Sequence, residues 1–275
     1  MILLSGIQTR DFLKERLVEE IGLLPVKPKL VILQIGDNEE SNVYIKQKKN
    51  FGEKLGIVVE HKKLSSDVKE QEVIDIIDRD NKDNEVGGII VQLPIPKNLN
   101  ISNILNSIEY KKDVDGLGFV QRGMFYGGNI NALVPATARG VMSLLDYYKI
   151  NIESKHVVVI GRSSLVGGPI SQSCLKRNAT VTVCHSKTEN IKDITKTADV
   201  LIVACGVLGM VDSTYVRGGQ VVIDVGIHKT DRGLRGDVVF DDVKDIVSAI
   251  SPVPGGVGPL TVLSLFQNLI DAQKI

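Results

Sequence analysis

Short runs of β-branched and apolar residues alternate with amphipathic helical patterns along almost the whole chain. In the second half of the 275 residues these runs are nearly all apolar, as expected of strands that helices cover on both faces. Strands and helices that alternate at this spacing predict βαβ units and a parallel sheet. The runs cover residues 30–35, 57–64, 86–93, 156–160, 179–184, 200–204, 221–225 and 247–250.

The patterns between these runs predict both helices and one loop-rich linker. Ser65 and Ser66 are expected to cap the third helix. Residues 111–136 contain five glycines with little periodicity, which predicts a linker. We therefore expect an α/β fold of two domains with a cleft between them, residues 1–134 with 258–275 and residues 135–257. The predicted helices are 9–24, 41–55, 67–80, 137–148 and 258–272.

Charge and composition exclude several classes of function. Lys plus Arg equals Asp plus Glu at 33 each, so the net charge of zero disfavours a nucleic-acid binder. We find no apolar stretch long enough to span a membrane, and the N-terminal apolar run is too short for a signal sequence. The three cysteines, Cys174, Cys184 and Cys205, form no C-x-x-C pair, and we interpret them as buried, inert thiols of a cytoplasmic protein.

The most specific local pattern is a strand, a glycine-rich loop and a helix. The strand 156–160 is followed by Gly161-Arg-Ser-Ser-Leu-Val-Gly-Gly-Pro and then by a helical pattern. Gly161 permits a tight turn, and Gly167 permits close approach of the backbone to a pyrophosphate at the helix N-terminus. The spacing departs from G-x-G-x-x-G, so the loop alone indicates a dinucleotide no more strongly than an ordinary turn.

The end of the next strand indicates which dinucleotide this loop would bind. NAD enzymes place an acidic residue there for the ribose 2′-hydroxyl, whereas this chain has His185-Ser-Lys-Thr. Arg162, Ser163 and Ser186, with Lys187 nearby, offer donors that suit a 2′-phosphate. Arg162 could equally be a solvated surface arginine, but its place inside the loop favours NADP as the cofactor.

Three stretches in the first half carry polar groups, and each group could have either a functional or a purely structural role. Tyr44 and Lys48 share a helix face, although a run of lysines is more often solvated. Gln92 ends an apolar strand, where it could simply satisfy the backbone. Asp113 and Asp115 open the linker, where they could cap turns before a glycine. The patterns alone favour these structural interpretations.

Together with the cofactor loop, these stretches resemble the bifunctional methylenetetrahydrofolate dehydrogenase/cyclohydrolase family. The matching segments follow the family order from about residue 30 to the end of the chain. The resemblance implies an N-terminal α/β domain that binds folate and a Rossmann-like domain that binds NADP. The segments are GDNEESNVYIKQK, GGIIVQLPIP, KKDVDG, GRSSLVGGP, CHSKT and ISPVPGGVGPLTV.

The resemblance implies two reactions in one-carbon metabolism. NADP would oxidise 5,10-methylenetetrahydrofolate to the 5,10-methenyl form, and hydrolysis would then give 10-formyltetrahydrofolate. Lys48 would be the general acid/base of hydrolysis, Gln92 would hydrogen-bond to it, Tyr44 would stack on the folate, and Asp115 would bind the pterin edge. A lysine base requires a pKa lowered toward working pH, so we expect Lys48 to be perturbed.

The resemblance also extends the two binding sites and implies an assembly. It implies a cytoplasmic homodimer that supplies purine biosynthesis, without a metal ion, because the four histidines lack metal-ligand spacing. Further folate-binding residues would be Val91, Leu93, Pro252, Gly255 and Gly256. The cofactor-binding residues would be Gly161, Arg162, Ser163, Val166, Gly167, Ser186, Cys205, Gly206, Gly226 and Ile227.

Two segments depart from the family pattern. Relatives commonly carry Pro-Cys-Thr-Pro where this chain has Pro135-Ala-Thr-Ala138, which argues against an essential thiol there. The segment Gly206-Val-Leu-Gly209 lacks the lysine and proline often found beside the cofactor, which bears on cofactor affinity. Neither departure involves Lys48, Gln92 or Asp115.

Three alternative functions would use a similar pair of domains. A dehydrogenase without cyclohydrolase activity would not need both Lys48 and Gln92. A dehydrogenase of the shikimate or amino-acid type would leave the VQLPIP and VPGGVGP segments unexplained. A regulator that binds NADP without catalysis would bind the nucleotide and turn over no substrate.

Overall fold

The computed structural model describes residues 1–275, with the side chain of Glu40 outside the description. Its strands are β1 (Ile2–Leu3), β2 (Lys29–Ile35), β3 (Val59–Leu64), β4 (Val86–Gln92), β5 (His156–Ile160), β6 (Thr180–Cys184), β7 (Val200–Val203), β8 (Val221–Asp224), β9 (His228–Thr230), β10 (Gly233–Arg235) and β11 (Ala249–Ile250). Its helices are α1 (Gly6–Gly22), α2 (Glu39–Leu55), α3 (Glu70–Lys82), α4 (Ile101–Asn106), α5 (Phe119–Tyr126), α6 (Ala136–Tyr147), α7 (Gly167–Leu175), α8 (Ile191–Thr197), α9 (Phe240–Val243) and α10 (Val257–Ala272).

The chain divides into two compact units, the first of which comprises residues 14–136 and 262–275. We call it the three-stranded unit, because its parallel sheet has the order β3-β2-β4. Strands β2 and β4 are buried along almost their whole length, as expected of apolar strands between helices. Phe266 of α10 packs on Phe51 of α2 with ring centroids 5.5 Å apart, which places the C-terminal helix in this core.

Residues 1–13 and 137–261 form the second compact unit, which we call the six-stranded unit. Its sheet has the order β1-β11-β8-β7-β5-β6, with every neighbouring pair parallel, and β9 and β10 form a separate antiparallel hairpin. The N-terminal strand β1 adds to one edge, where Ile2 pairs with Ala249. Only two residues long, this strand left no periodic signal in the sequence.

The parallel arrangement decides where polar side chains gather within each unit. In parallel sheets the carboxyl ends of all strands lie at one edge, where ligands bind. Gln34 and Gln92 are register partners at the carboxyl ends of β2 and β4. In the six-stranded unit, the loops after β5, β7 and β8 begin at the corresponding edge.

The predicted parallel α/β fold is confirmed, whereas two local predictions are wrong. Helix α3 begins at Glu70 with Lys69 as its N-cap, because Ser65 hydrogen-bonds to Asp67 in a preceding turn instead of capping the helix. The linker 111–136 contains α5, whose helical pattern its glycines obscured. None of the helices formed by the described residues has the length and hydropathy that a membrane crossing requires.

Candidate functional site

Helix α2 carries the first predicted site residues on one face. It begins after Asn38, whose side chain accepts a hydrogen bond from the Ser41 N–H group at 3.0 Å. Tyr44 and Lys48 lie one turn apart, so their side chains project from the same face. Both are half-buried, which leaves part of each available to a ligand.

The predicted hydrogen bond between Lys48 and Gln92 is present. Lys48 Nζ donates to Gln92 Oε1 at 2.9 Å. The amide nitrogen of Gln92 donates to the Leu93 carbonyl at 2.9 Å, which leaves the amide oxygen to accept from the lysine. The end of β4 therefore presents a neutral acceptor, already oriented, to the ammonium group.

Burial and one carboxylate act on Lys48 in opposite directions. Desolvation lowers the pKa of Lys48, and the negative charge of Asp115 raises it by a smaller amount. Burial likewise raises the pKa of Asp115, and Lys48 opposes that rise. The net effect favours a neutral amine on Lys48 more than water does, in the direction predicted for a base.

A second carboxylate holds the loop that carries Asp115. Asp113 is buried, and its two oxygens accept from the N–H groups of Gly116, Leu117 and Gly118 at 3.1, 3.3 and 2.7 Å. Burial raises the pKa of Asp113 to about 6, although these backbone bonds oppose the rise. Asp113 thus has a structural role at a turn, the alternative given in the sequence analysis. Asp115, in contrast, is coupled electrostatically to Lys48.

A set of polar residues that no sequence pattern singled out supports α2. Gln34 is only 1% exposed, its Nε2 donates to Asn42 Oδ1 at 2.8 Å, and its Oε1 lies 2.9 Å from His61 Nε2. Asn42 in turn donates to Asp37 at 2.8 Å. A glutamine inside an otherwise apolar strand was the available signal, because a buried amide requires partners.

Two predicted folate residues flank Gln92 in different environments. Val91 is 2% exposed, so its side chain belongs to the core and only its backbone could contact a ligand. Leu93 is half-buried, and its carbonyl accepts from Gln92 and, at 3.4 Å, from the Ser41 hydroxyl.

The glycine loop of the six-stranded unit is packed too closely for side chains at two positions. A Cβ on Gly161 would lie 2.1 Å from the Ala204 carbonyl oxygen, and the φ of Gly161 is +129°. A Cβ on Gly167 would lie 2.2 Å from the Gly161 carbonyl oxygen. Both glycines are required where β5 passes into α7, and the close packing keeps the N-terminus of α7 beside the strand end.

The remaining loop residues differ in whether their polar groups are already hydrogen-bonded within the loop. The Ser163 hydroxyl accepts from the N–H groups of Val166 and Gly167 at 3.1 and 3.4 Å, so it serves the loop itself. Arg162 and Ser186 are exposed, at the carboxyl ends of neighbouring strands β5 and β6. These two donors are therefore accessible to an anionic group.

The loops after β7 and β8 contain the other predicted cofactor residues. Cys205 is partly buried, and burial together with the charge of Asp237 raises its pKa to about 11, which disfavours the reactive thiolate. Its N–H and that of Gly206 both donate to Asp237 Oδ2, at 2.9 and 2.8 Å. Ile227 is 37% exposed after Gly226. No sequence pattern predicted a role for Asp237.

The turn that contains Pro252, Gly255 and Gly256 also belongs to the six-stranded unit. The Gly255 carbonyl accepts from the Gly6 N–H at 2.8 Å, and a Cβ on Gly6 would lie 1.7 Å from the Gly256 carbonyl oxygen. The structure thus brings Lys48, Gln92 and Asp115 together in one unit and places the three turn residues in the other. Among the described residues, no group of three or more His, Cys, Asp or Glu side chains could hold a metal ion.

Two family models together cover most of the chain. Residues 4–115 match the catalytic domain of tetrahydrofolate dehydrogenase/cyclohydrolase, and residues 135–275 match its NAD(P)-binding domain. A protein from Acholeplasma laidlawii described as bifunctional protein FolD is 46% identical over 268 residues, which cover 98% of this chain and 96% of that protein.

Solved structures show the same relationship. The bifunctional FolD methylenetetrahydrofolate dehydrogenase/cyclohydrolase of Campylobacter jejuni has a TM-score of 0.96 and 38% identity, covering 100% of this chain and 99% of the other. The Trypanosoma brucei methylenetetrahydrofolate dehydrogenase-cyclohydrolase, complexed with NADP cofactor and inhibitor, has a TM-score of 0.94 and 32% identity, covering 100% and 97%. With both domain models matched in order and relatives similar over nearly their full length, this chain belongs to the tetrahydrofolate dehydrogenase/cyclohydrolase family.

Proposed function

We propose that the chain oxidises 5,10-methylenetetrahydrofolate with NADP and hydrolyses the 5,10-methenyl product to 10-formyltetrahydrofolate. The observation that carries this proposal is the half-buried Lys48, hydrogen-bonded to Gln92 and coupled to Asp115. Relatives described as bifunctional, with the same two domains, support both activities. A dehydrogenase without the second activity would have no use for this pair.

The residues present fit a dinucleotide that carries a 2′-phosphate. Gly161 and Gly167 lie where a Cβ would collide with neighbouring backbone, so the end of β5 stays close to the start of α7, and the positive end of this helix dipole would favour a pyrophosphate. Exposed Arg162 and Ser186 would hold the 2′-phosphate by charge-assisted hydrogen bonds. Ser163, Val166 and the other predicted cofactor residues would form the walls of this site. When bound, NADP supplies the hydride acceptor of the dehydrogenase step.

Hydrolysis requires a group that first takes and then returns a proton. Water attacks the methenyl carbon, a C–O bond forms, and the neutral amine of Lys48 takes the proton that water loses. The proton then passes from Nζ to the ring nitrogen as its C–N bond breaks, and the hydroxyl of the adduct loses its own proton to solvent as the C=O bond of the formyl group forms. Gln92 keeps Nζ in place throughout, because its oxygen accepts in both protonation states of the lysine.

The other predicted residues would bind and orient the folate. Tyr44, on the same helix face as Lys48, would stack on a flat ring. Asp115 would accept hydrogen bonds from pterin N–H groups, and its raised pKa reflects burial that a polar ligand edge would offset. Leu93, the Val91 backbone and the turn of Pro252, Gly255 and Gly256 would complete the folate site. Orientation of the rings is the main contribution a protein makes to hydride transfer.

We also propose the domain division 1–134 with 258–275 and 135–257, which differs from the two compact units chiefly in where it assigns residues 1–13.

We further propose a cytoplasmic location, a role in purine biosynthesis and a homodimer. The free cysteines suit a reducing compartment. Sedimentation equilibrium of the purified chain should give the mass of two copies. The mass of one copy at micromolar concentration would contradict the dimer.

Asp115→Asn should lower the pKa of Lys48 further. Among the side chains that the structure describes, the Asp115 charge is the interaction that raises this pKa, so its removal leaves desolvation unopposed. The measurement is a pH titration of the lysine Cε resonances by NMR, with Lys48→Met used to assign the signal. A pKa that stays constant or rises in Asp115→Asn would show that the two groups are not coupled.

Lys48→Met should abolish hydrolysis and preserve oxidation. Loss of a general acid/base costs about 100-fold or more in rate, whereas hydride transfer needs no proton carrier. Absorbance would follow the loss of added methenyl substrate and, separately, NADPH formation from methylenetetrahydrofolate. Lys49→Met, at an exposed neighbour on the same helix, is the control and should keep both activities. Equal losses of both activities in Lys48→Met would refute the proton-transfer role.

Arg162→Ala should weaken NADP binding and leave NAD use almost unchanged. A lost charged hydrogen bond to the 2′-phosphate corresponds to about a 10- to 100-fold higher KM for NADP. The control, Arg177→Ala, removes an arginine of the same unit that pairs with Asp146. If the NADP to NAD preference of Arg162→Ala equals that of the wild type, Arg162 does not bind the 2′-phosphate.

A further inference from the structure

Asp237 is a fully buried carboxylate that joins two loops of the six-stranded unit. It follows the hairpin β9–β10 and has 0% exposed surface. Its Oδ2 accepts from the N–H groups of Cys205 and Gly206 after β7, at 2.9 and 2.8 Å. Its Oδ1 lies 2.7 Å from Nε2 of His228, the first residue of β9, at the far end of the loop 225–227 that follows β8. An ionised carboxylate only accepts, so His228 donates from Nε2.

A second buried carboxylate, Asp224, fixes the backbone that carries Asp237. Asp224 Oδ1 accepts from the Asp237 and Gly226 N–H groups at 3.0 and 2.9 Å, and Oδ2 accepts from Val238 at 2.9 Å. The Asp224 N–H donates to the Ser251 hydroxyl at 2.8 Å. The two acids therefore form a continuous set of hydrogen bonds, in which each oxygen has a defined partner.

Two glycines show how closely these carboxylates are packed. A Cβ on Gly226 would lie 2.3 Å from Asp237 Cγ, and a Cβ on Gly236 would lie 1.8 Å from Asp224 Oδ2. Such a side chain would collide with the carboxylate and push it away from its backbone partners. Glycine at both positions therefore leaves the two carboxylates in place to accept their backbone hydrogen bonds.

We propose that Asp237 is a positioning residue for NADP, because its carboxylate fixes the loops after β7 and β8 relative to each other. This inference rests on the cofactor site proposed above, which includes Cys205, Gly206, Gly226 and Ile227. Loops at the carboxyl ends of adjacent parallel strands line the dinucleotide site in folds of this kind. A carboxylate suits this place because both of its oxygens must accept, whereas an amide has a single acceptor oxygen.

The test is Asp237→Asn, which preserves shape and one acceptor. We expect the KM for NADP to rise about 10-fold or more, as for a weakened charged hydrogen bond. The kcat at saturating NADP and the hydrolysis of added methenyl substrate should each change less than about threefold, because the three-stranded unit is untouched. Asp237→Ala, which removes both acceptors, should give a larger rise in KM.

The control is Asp80→Asn, which alters a buried carboxylate of the three-stranded unit that pairs with Lys62 at 2.5 Å. It should lower the melting temperature without changing the KM for NADP. An unchanged KM in Asp237→Asn, with a raised KM in Arg162→Ala, would overturn the positioning role alone. If neither variant changes this KM, the proposed cofactor site fails. If all rates of Asp237→Asn fall in parallel with its melting temperature, Asp237 only stabilises the fold.

Discussion

The candidate catalytic chemistry depends on a balance between the desolvation of Lys48 and the groups that face its ammonium. Desolvation favours the neutral amine, and the neutral amide of Gln92 accepts a hydrogen bond without adding charge. A carboxylate in place of Gln92 would stabilise the ammonium and raise the pKa away from working pH. The negative charge of Asp115 opposes desolvation without overcoming it. A neutral acceptor such as the Gln92 amide at the end of β4 therefore suits a lysine base.

Each unit uses a buried carboxylate to hold a loop that carries candidate site residues. Asp113 accepts three backbone N–H groups of the loop after Asp115, and Asp237 accepts two from the loop after β7. Glycine-containing loops have few side chains of their own to fix their shape, and an acceptor with two oxygens supplies several bonds at once. Burial makes these bonds stronger than they would be in water, and it makes loss of the acceptor correspondingly costly.

The sequence predicted the parallel sheets and the position of the glycine loop, because apolar periodicity and turn glycines are local signals. The family resemblance, more than any pattern, assigned roles to Lys48 and Gln92. The cap of α3 was predicted wrongly because Ser65 satisfies Asp67 instead of a helix N-terminus. Asp237 was missed for a different reason: its partners lie 9 to 32 residues away, and only the folded chain brings them together.

The loop after β7 differs from the family pattern in its side chains, but its start is held by hydrogen bonds to Asp237. The family pattern that the sequence resembles has a lysine and a proline here, whereas this chain has Val207 and Leu208, both more than half exposed. Neither exposed side chain substitutes for a charge or restricts the backbone as proline does. The start of the loop is instead fixed from behind, where the Gly206 N–H donates to Asp237. Because this hydrogen bond uses a backbone N–H group, it does not depend on which side chains follow Gly206. The backbone at the start of the loop is therefore held in place without the lysine and the proline of the family pattern.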